Sequence, residues 1–128
     1  MKTGKIDISA LNIPPAKHEL ATAKIFSKLG KDIVFIQSSN IKGNHLPDFW
    51  MDGKMWEVKS PCGSGKRTIE KLFAEAVKQS KFIIFDLNRS KKSDEQAHIK
   101  NIIKETNSRK YLKKVKIITK NGQILDIK

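Results

Sequence analysis

Two carboxylates and one amine, close together in the sequence, are the residues of this chain best suited to catalysis. Asp48 follows Pro47, and Glu57 and Lys59 come later on either side of Val58. Paired carboxylates can hold a hard cation, because Mg²⁺ is typically bound by one or two carboxylates plus water and substrate phosphate. A neighbouring lysine can steady an attacking water or the charge that develops on a phosphate. The three residues therefore have the chemistry of a phosphodiesterase half-site.

A β-hairpin is the element that would position these groups. Asp52-Gly53 is a two-residue turn signal of type I′. Such a loop sets a register in which Asp48 lies directly opposite Glu57, and because side chains alternate along a strand, Lys59 shares their face. Opposed carboxylates destabilise a sheet unless something compensates them, which favours a bound cation. The alternative is a solvated hairpin face with a Glu57–Lys59 ion pair.

A third carboxylate stands on the first predicted helix. The helix is expected from about 15 to 29, after a proline pair and before Gly30. Glu19 continues a stripe with Ala23 and Phe26 that otherwise faces the core, so its carboxylate needs a partner. The alternative is that Glu19 only complements the positive end of the helix. His45, in the loop before Asp48, is a candidate accessory base or a solvated loop histidine.

The rest of the chain completes an α/β pattern. Thr68 is the expected N-cap of a second helix, and an apolar strand follows from Phe82. A third helix is expected to start at a capping box of Ser93 and Gln96, with His98 off its buried face. Asn121-Gly122 indicates a closing hairpin, again of type I′. This order predicts an α/β domain with a mixed sheet flanked by helices.

The spacing of Pro47-Asp48 and Glu57-Val58-Lys59 resembles the signature of the PD-(D/E)xK nuclease superfamily. A longer string resembles a narrower group, the toxic C-terminal nuclease domains of contact-dependent growth inhibition proteins and related polymorphic bacterial toxins, including tRNA-cleaving ones. That string adds Trp56, Ser60-Pro61, Gly63-Ser64-Gly65-Lys66-Arg67-Thr68-Ile69, Lys78-Gln79-Ser80 and Asp86-Leu87. The likeness covers about residues 16 to 90.

The resemblance implies a restriction-endonuclease-like fold and a metal-dependent endonuclease. Asp48 and Glu57 would hold the metal, Lys59 would position water or stabilise charge, and Glu19 would orient or complete the metal site. Mg²⁺ is the expected ion, with Mn²⁺ or Zn²⁺ as alternatives. The implied substrate is tRNA, with DNA close behind. The residues themselves do not separate RNA from DNA, because both present the same phosphates. A non-catalytic nucleic-acid-binding module of the same fold is the alternative from another class.

The segment after the hairpin is a basic loop that leads into the second helix. Lys66 and Arg67 can approach a nucleic-acid backbone there. The loop does not match a nucleotide-binding P-loop, because Ser60 replaces a required glycine and Arg67 replaces the required Ser or Thr. The resemblance implies substrate-binding roles for Ser60, Lys66, Arg67, Thr68, Lys78 and Gln79. Spacing alone makes the last two surface residues.

Net charge predicts an anionic partner. The 128 residues contain 26 Lys and Arg against 13 acidic residues, a net charge of +13. Nucleic acid is the first expectation, although an anionic membrane surface or an acidic protein meets the same test. The resemblance adds a cognate immunity protein, expected to be acidic. The lysines at 110, 113, 114 and 116 form a basic run that would line the substrate path or be solvated.

Length and composition bound the remaining expectations. The length predicts one nuclease domain, 1–128, with 1–13 as a mobile N-terminal arm or an edge strand. Cys62 is the single cysteine, which excludes an internal disulfide and a multi-cysteine zinc site. The sequence predicts a soluble chain with no membrane span and no signal peptide. The resemblance implies export within a larger bacterial toxin and action in the target-cell cytoplasm.

Overall fold

The computed structural model describes residues 3–37 and 46–128 and shows a mixed α/β protein. Its helices are α1 (Lys17–Lys28), α2 (Thr68–Ala76) and α3 (Glu95–Ser108). Its strands are β1 (Ile6–Asp7), β2 (Ile33–Phe35), β3 (Phe49–Met51), β4 (Lys54–Lys59), β5 (Phe82–Asp86), β6 (Lys114–Ile118) and β7 (Ile124–Asp126). Short 3₁₀ turns at Leu87–Arg89 and Lys92–Asp94 precede α3. None of the helices in these ranges has the length and apolarity of a membrane span.

The chain divides into two compact units, Met1–Glu57 and Val58–Lys128. The first unit contains β1 to β3, α1 and most of β4. The second contains α2, α3 and β5 to β7. Each unit has a mixed sheet, because β1 pairs with β2 and β5 pairs with β6 in parallel, whereas the other described pairs in each unit are antiparallel. The single-domain assignment of 1–128 stays a prediction.

The β3–β4 hairpin of the first unit has the predicted turn and register. Met51 pairs with Lys54, and the ladder continues to Phe49 and Trp56. The turn residues Asp52 and Gly53 have φ of 54° and 75°, as a type I′ turn requires. The predicted turn type is therefore confirmed, and the ladder is in register as far as Phe49 and Trp56.

Helix α1 lies within the predicted bounds of 15–29. It ends in a Schellman motif, because Gly30 N–H donates to Ser27 C=O at 3.0 Å and Lys31 N–H donates to Phe26 C=O at 3.1 Å. Gly30 has a φ of 88°, which favours glycine at this position. Phe26 and Ala23 are buried, so the predicted stripe does face the core.

An edge strand, the second of the two alternatives for 1–13, is what the structure shows at Ile6–Asp7. The segment before it is attached to α1. Gly4 N–H donates to Ser27 C=O, and Ser27 Oγ donates to Gly4 C=O, both at 2.7 Å. A Cβ at Gly4 would lie 1.9 Å from the carbonyl oxygen of Lys31. Only glycine fits this contact.

The second unit is built on a β-α-β crossover. Parallel strands β5 and β6 pair from Phe82 with Lys114 to Asp86 with Ile118, and α3 connects them. The apolar core beneath includes Phe73 of α2, whose ring centroid lies 5.0 Å from that of Phe85. The buried core residues are Ile69, Phe73, Ala76, Ile83, Phe85, Leu87, Ile102, Leu112, Val115 and Ile117.

The starts of two helices differ from the predicted caps. Thr68 is the first residue of α2, and Arg67 takes the N-cap position. At α3 the N-cap is Asp94, so the capping box of Ser93 and Gln96 is not formed. Neither N-cap residue makes a side-chain capping bond. The 3₁₀ turn before α3 shifts its start past Ser93.

The buried face of α3 also differs from the predicted one. His98 is only 3% exposed, and it lies on one side with Ile102 and Thr106. Ala97 and Ile103 of the same helix are exposed. The packed face therefore includes His98, which the sequence places off it, because the stripe of residues four apart through His98, Ile102 and Thr106 enters the core.

The closing hairpin has a three-residue loop. Thr119 N–H donates to Gln123 C=O at 2.9 Å, so residues 120–122 form the loop. Gly122 has a φ of 87°, whereas Asn121 has a negative φ. A type I′ turn needs positive φ at both central residues. The predicted turn type is therefore wrong here, although the hairpin itself is present.

Candidate catalytic site

Glu19 and Asp48 line one cavity in the first unit. Its volume is about 310 Å³, and its walls come from the segment before α1, the start of α1 and the end of β2. Glu19 lies in the first turn of α1, and Asp48 lies at a bend just before β3. Both side chains are half-buried. The fold thus brings together two acids that are far apart in sequence.

Burial and the charge of Asp48 raise the pKa of Glu19. Burial is the larger cause, because it removes solvation from the ionised carboxylate, and repulsion from Asp48 adds to it. His18 has a smaller, opposite effect. A cation between the two carboxylates would relieve both costs. Glu19 thus lies in the cavity as an inward-facing acid, as its stripe with Ala23 and Phe26 predicts.

Asp48 does not continue the hairpin ladder as predicted. Its N–H donates to Trp56 C=O at 2.9 Å, and its own C=O accepts from Ile36 N–H at 2.9 Å. The in-register pairs end at Phe49 and Trp56, so two successive residues face Trp56. This arrangement is typical of a bulge, which re-aims a side chain. The predicted register, with Asp48 directly opposite Glu57, therefore does not extend to Asp48.

Glu57 is a buried carboxylate, with 7% of the residue exposed. It follows Trp56, which is also buried and whose indole Nε1 donates to Met51 C=O at 2.9 Å. Both faces of β4 are therefore covered at this point. Glu57 is therefore a third acid of the first unit that is withdrawn from solvent, in addition to Glu19 and Asp48. It is not among the described residues that line the cavity of Glu19 and Asp48.

Lys59 forms an ion pair with Glu75 of α2. The distance from Lys59 Nζ to Glu75 Oε2 is 3.3 Å. Lys59 is largely buried, whereas Glu75 is exposed. The carboxylate thus fixes the position of the predicted catalytic amine. Glu75 was not predicted to matter, because helical spacing places it off the buried face of α2.

The predicted substrate-binding residues precede and follow helix α2 in the chain. Lys66 and Arg67 are exposed just before the helix, and Arg67 forms an ion pair with Glu70 at 3.2 Å. Thr68 begins α2, and Ser60, which directly follows β4, is partly buried.

Lys78 and Gln79 follow the other end of α2. Lys78 is exposed, whereas Gln79 is partly buried. The side-chain oxygen of Gln79 is buried and meets no hydrogen-bond donor among the described residues. Such an acceptor costs about 1–3 kcal/mol unless a donor reaches it.

Helix α2 keeps these two groups apart. Its nine residues, Thr68–Ala76, span roughly 13 Å at ~1.5 Å per residue. Arg67 and Lys78 therefore lie beyond opposite ends of the helix. They can contact separate parts of one extended ligand.

Glu19 and Asp48 are the described acids that could hold a divalent cation together with water and phosphate. Within residues 3–37 and 46–128, no three His, Cys, Asp or Glu side chains are grouped as ligands of one ion. Glu19 and Asp48 are nevertheless close enough for their charges to interact. Two carboxylates with water and phosphate are a common Mg²⁺ environment. His45, the candidate accessory base, lies outside the described residues.

Comparison with known proteins gives one family and one structure. Residues 45–124 match the family model of the contact-dependent growth inhibition CdiA C-terminal domain. A chain in the solved CdiA-CT/CdiI toxin and immunity complex from Burkholderia pseudomallei is similar to this chain, with 25% sequence identity and a TM-score of 0.69. The likeness covers 98% of this chain and 99% of that one. No curated protein sequence matches.

Proposed function

The chain belongs to the CdiA C-terminal domain family and is a toxin domain of contact-dependent growth inhibition, and from this premise we propose that it is a metal-dependent endonuclease. The observation that carries the proposal is the shared cavity of Glu19 and Asp48, where the charge of one acid raises the pKa of the other. Like charges held together in this way suit a divalent cation. The restriction-endonuclease-like fold is part of the proposal.

Asp48, Glu57 and Glu19 would hold the metal. The ion, Mg²⁺ by preference and Mn²⁺ or Zn²⁺ otherwise, would supply Lewis-acid stabilisation of charge on the phosphate. Asp48 and Glu19 would lower the cost of their mutual repulsion by binding it. Glu57, which is buried in β4, would be the third carboxylate ligand.

Lys59 would act on the attacking water or on the phosphate charge. It stands two residues after Glu57 in β4, and side chains two apart in a strand share a face. Glu75 would orient its ammonium. In the hydrolysis, the water loses a proton and its oxygen bonds to phosphorus, the bond from phosphorus to the leaving oxygen breaks, and the leaving oxygen takes up a proton, so that no net proton is gained or lost.

The proposed substrate is nucleic acid, with tRNA ahead of DNA. The net charge of +13 supports a polyanionic substrate. The likeness to tRNA-cleaving toxin domains supports RNA. The further substrate contacts, Ser60, Lys66, Arg67, Thr68, Lys78 and Gln79, belong to this proposal.

A cognate immunity protein is the proposed protein partner. The similar solved structure is a toxin and immunity complex, and the basic charge of this chain favours an acidic partner. Delivery within a larger exported toxin, and action in the cytoplasm of the target cell, follow from the family as proposals.

The test is a cleavage assay on purified protein. Total tRNA and plasmid DNA are each incubated with the chain and Mg²⁺, Mn²⁺, Zn²⁺ or EDTA. We expect metal-dependent loss of tRNA, and a decrease of about 10²-fold or more in Glu57→Gln and Lys59→Ala. Asp52→Asn is the matched control, because Asn tolerates the positive φ of this turn.

The outcomes separate the candidates. Cleavage of plasmid alone would make the protein a DNA endonuclease. Binding of nucleic acid without cleavage under every metal condition would favour the non-catalytic module and reject the proposed activity.

A further inference from the structure

Six lysines lie at one edge of the sheet in the second unit. Strands β5 and β6 are parallel, so the loops that enter them, 77–81 and 109–113, meet at the amino ends of both strands. Lys113 N–H and Lys114 N–H both donate to Lys81 C=O, at 3.0 and 3.2 Å. These bonds bring the two entering loops into contact.

The end of the chain returns to the same edge. Strand β7 is antiparallel to β6, and Lys128 N–H donates to Val115 C=O at 3.3 Å. Lys128 Nζ donates to Lys110 C=O at 3.2 Å. The amino-edge cluster is therefore composed of Lys78, Lys81, Lys110, Lys113, Lys114 and Lys128.

The charge of this cluster is not compensated by nearby acids. All six lysines are exposed, and none of them takes part in an ion pair in the described part of the chain. The segments 77–81 and 109–114 contain no Asp or Glu. By contrast, neighbouring cations are paired, Lys116 with Asp126 and Arg109 with Glu105.

The cluster lies in the more basic unit. Val58–Lys128 contains 18 Lys and Arg against 7 Asp and Glu, whereas Met1–Glu57 contains 8 against 6. The first unit contains the cavity of Glu19 and Asp48. The unit without that cavity therefore has most of the positive charge.

An aromatic side chain lies within the cluster. Tyr111 is 50% exposed and stands between Lys110 and Lys113 in the loop that enters β6. An exposed tyrosine offers a flat face on which an unstacked base can pack, and such contacts tolerate any base. Lysines on flexible stems contact phosphates without reading sequence.

We infer that the amino-edge cluster binds the sugar-phosphate backbone of a single-stranded segment of RNA, with Tyr111 stacked on one base. The inference rests on the proposed function, because it assigns a binding surface to the proposed substrate. The aromatic residue among the lysines favours nucleic acid over an acidic protein, since an acidic protein has no need of a stacking face. The cluster acts in binding and takes no part in the bond-breaking step.

The test measures binding without cleavage. Fluorescence anisotropy in EDTA uses the full chain with a labelled single-stranded RNA oligonucleotide, and with a duplex RNA of the same length, from 50 to 300 mM salt. The cluster variant is Lys110→Gln, Lys113→Gln and Lys128→Gln together. The control variant, Lys91→Gln, Lys92→Gln and Lys100→Gln, removes the same charge from exposed positions near the start of α3.

We expect the cluster variant to lose about tenfold or more in single-strand affinity, with a salt slope reduced by roughly 2. The control should lose less than about threefold. Tyr111→Leu should weaken single-strand binding by about fivefold or more, and duplex binding far less. Thermal melting of each variant shows whether it is folded.

Equal losses in the two triple variants would overturn the inference, because net charge alone would then explain binding. Unchanged RNA affinity in the cluster variant, with lost affinity for the cognate immunity protein, would assign the surface to that partner instead. Because the assay needs no cleavage, failure of the endonuclease proposal is seen separately, as intact RNA in the metal-containing reactions.

Discussion

The ammonium of Lys59, at the end of the hairpin strand β4, lies 3.3 Å from the carboxylate of Glu75, which belongs to helix α2. This pair connects the end of β4 to the last turn of α2. Because Lys59 is 19% exposed and Glu75 is 61% exposed, the acid holds the amine from the solvent side. We therefore regard Glu75 as a positioning residue for Lys59.

Replacing Glu75 by Gln should lower kcat and leave KM nearly unchanged. The expected loss is about tenfold, the size common for residues that orient a functional group. The change in unfolding free energy should stay below about 1 kcal/mol, because one partner is exposed. Steady-state cleavage and urea denaturation measure the two effects. Glu70→Gln, on the same helix and paired with Arg67, is the control and should retain wild-type kcat.

Glu19→Gln should stabilise the protein at neutral pH in the absence of metal. The folded-state pKa of Glu19 is raised above its ordinary, unfolded-state value, so ionisation opposes folding and the full penalty is present above the folded-state pKa. As the pH falls below the folded-state pKa the folded protein gains a proton and the penalty shrinks, and it is gone below the unfolded-state pKa. The advantage of the variant should therefore be present at pH 7 and vanish near pH 4.

Urea denaturation of wild type and Glu19→Gln at pH 7 and pH 4, in EDTA, checks this linkage. Glu70→Gln serves as the comparison. The pKa of Glu70 is lowered by Arg67, so removing the charge of Glu70 should not stabilise the protein. An advantage of Glu19→Gln that grows toward acid pH would contradict the assigned direction.

Divalent metal should raise the Tm of the wild-type chain. An ion at ten times its Kd adds about 1.4 kcal/mol to stability. In Asp48→Asn the increase should be lost, because one of the two repelling carboxylates is gone. Differential scanning fluorimetry with MgCl₂ or MnCl₂ against EDTA measures the shift. The same shift in wild type and Asp48→Asn would place the metal elsewhere.

Gly4→Ala should destabilise the first unit. The added methyl would overlap the carbonyl of Lys31 at 1.9 Å, and relieving such an overlap typically costs about 1–3 kcal/mol. Gly63→Ala is the matched control, because its Cβ would meet only the side chain of Thr68, at the ordinary contact distances of 3.5 Å to Oγ1 and 3.9 Å to Cγ2. Chemical denaturation compares the two variants, and equal stabilities would show that the Gly4 contact can relax.

Local signals explain which parts of the fold were predictable. The Asp52-Gly53 turn fixes its own register through two positive φ values, and Gly30 marks the end of α1. The type I′ turn predicted at Asn121-Gly122 is wrong because Gly suits both a type I′ turn and the last position of a three-residue loop. Only the surrounding strand pairs decide between them.

The parts of the candidate site that were missed depend on tertiary contacts. The bend at Asp48 arises from its backbone hydrogen bonds to Trp56 and Ile36. No residue type in the hairpin predicts this bend. The sequence pattern predicts that Glu75 is a solvated acid on the exposed face of α2, and only the structure shows that Lys59 lies beside it. The inward position of Glu19 was predictable, because its stripe contains Ala23 and Phe26.

The nine-residue length of α2 sets a minimum size for any ligand that touches both of its ends. A span of roughly 13 Å corresponds to about four steps of a nucleic-acid strand at ~3.4 Å each. A ligand that contacts the backbone at both ends of α2 has to cover this length, which favours an oligonucleotide over a mononucleotide. If the proposed endonuclease activity holds, affinity should therefore fall as the substrate is cut into shorter fragments, and the smallest products should dissociate first.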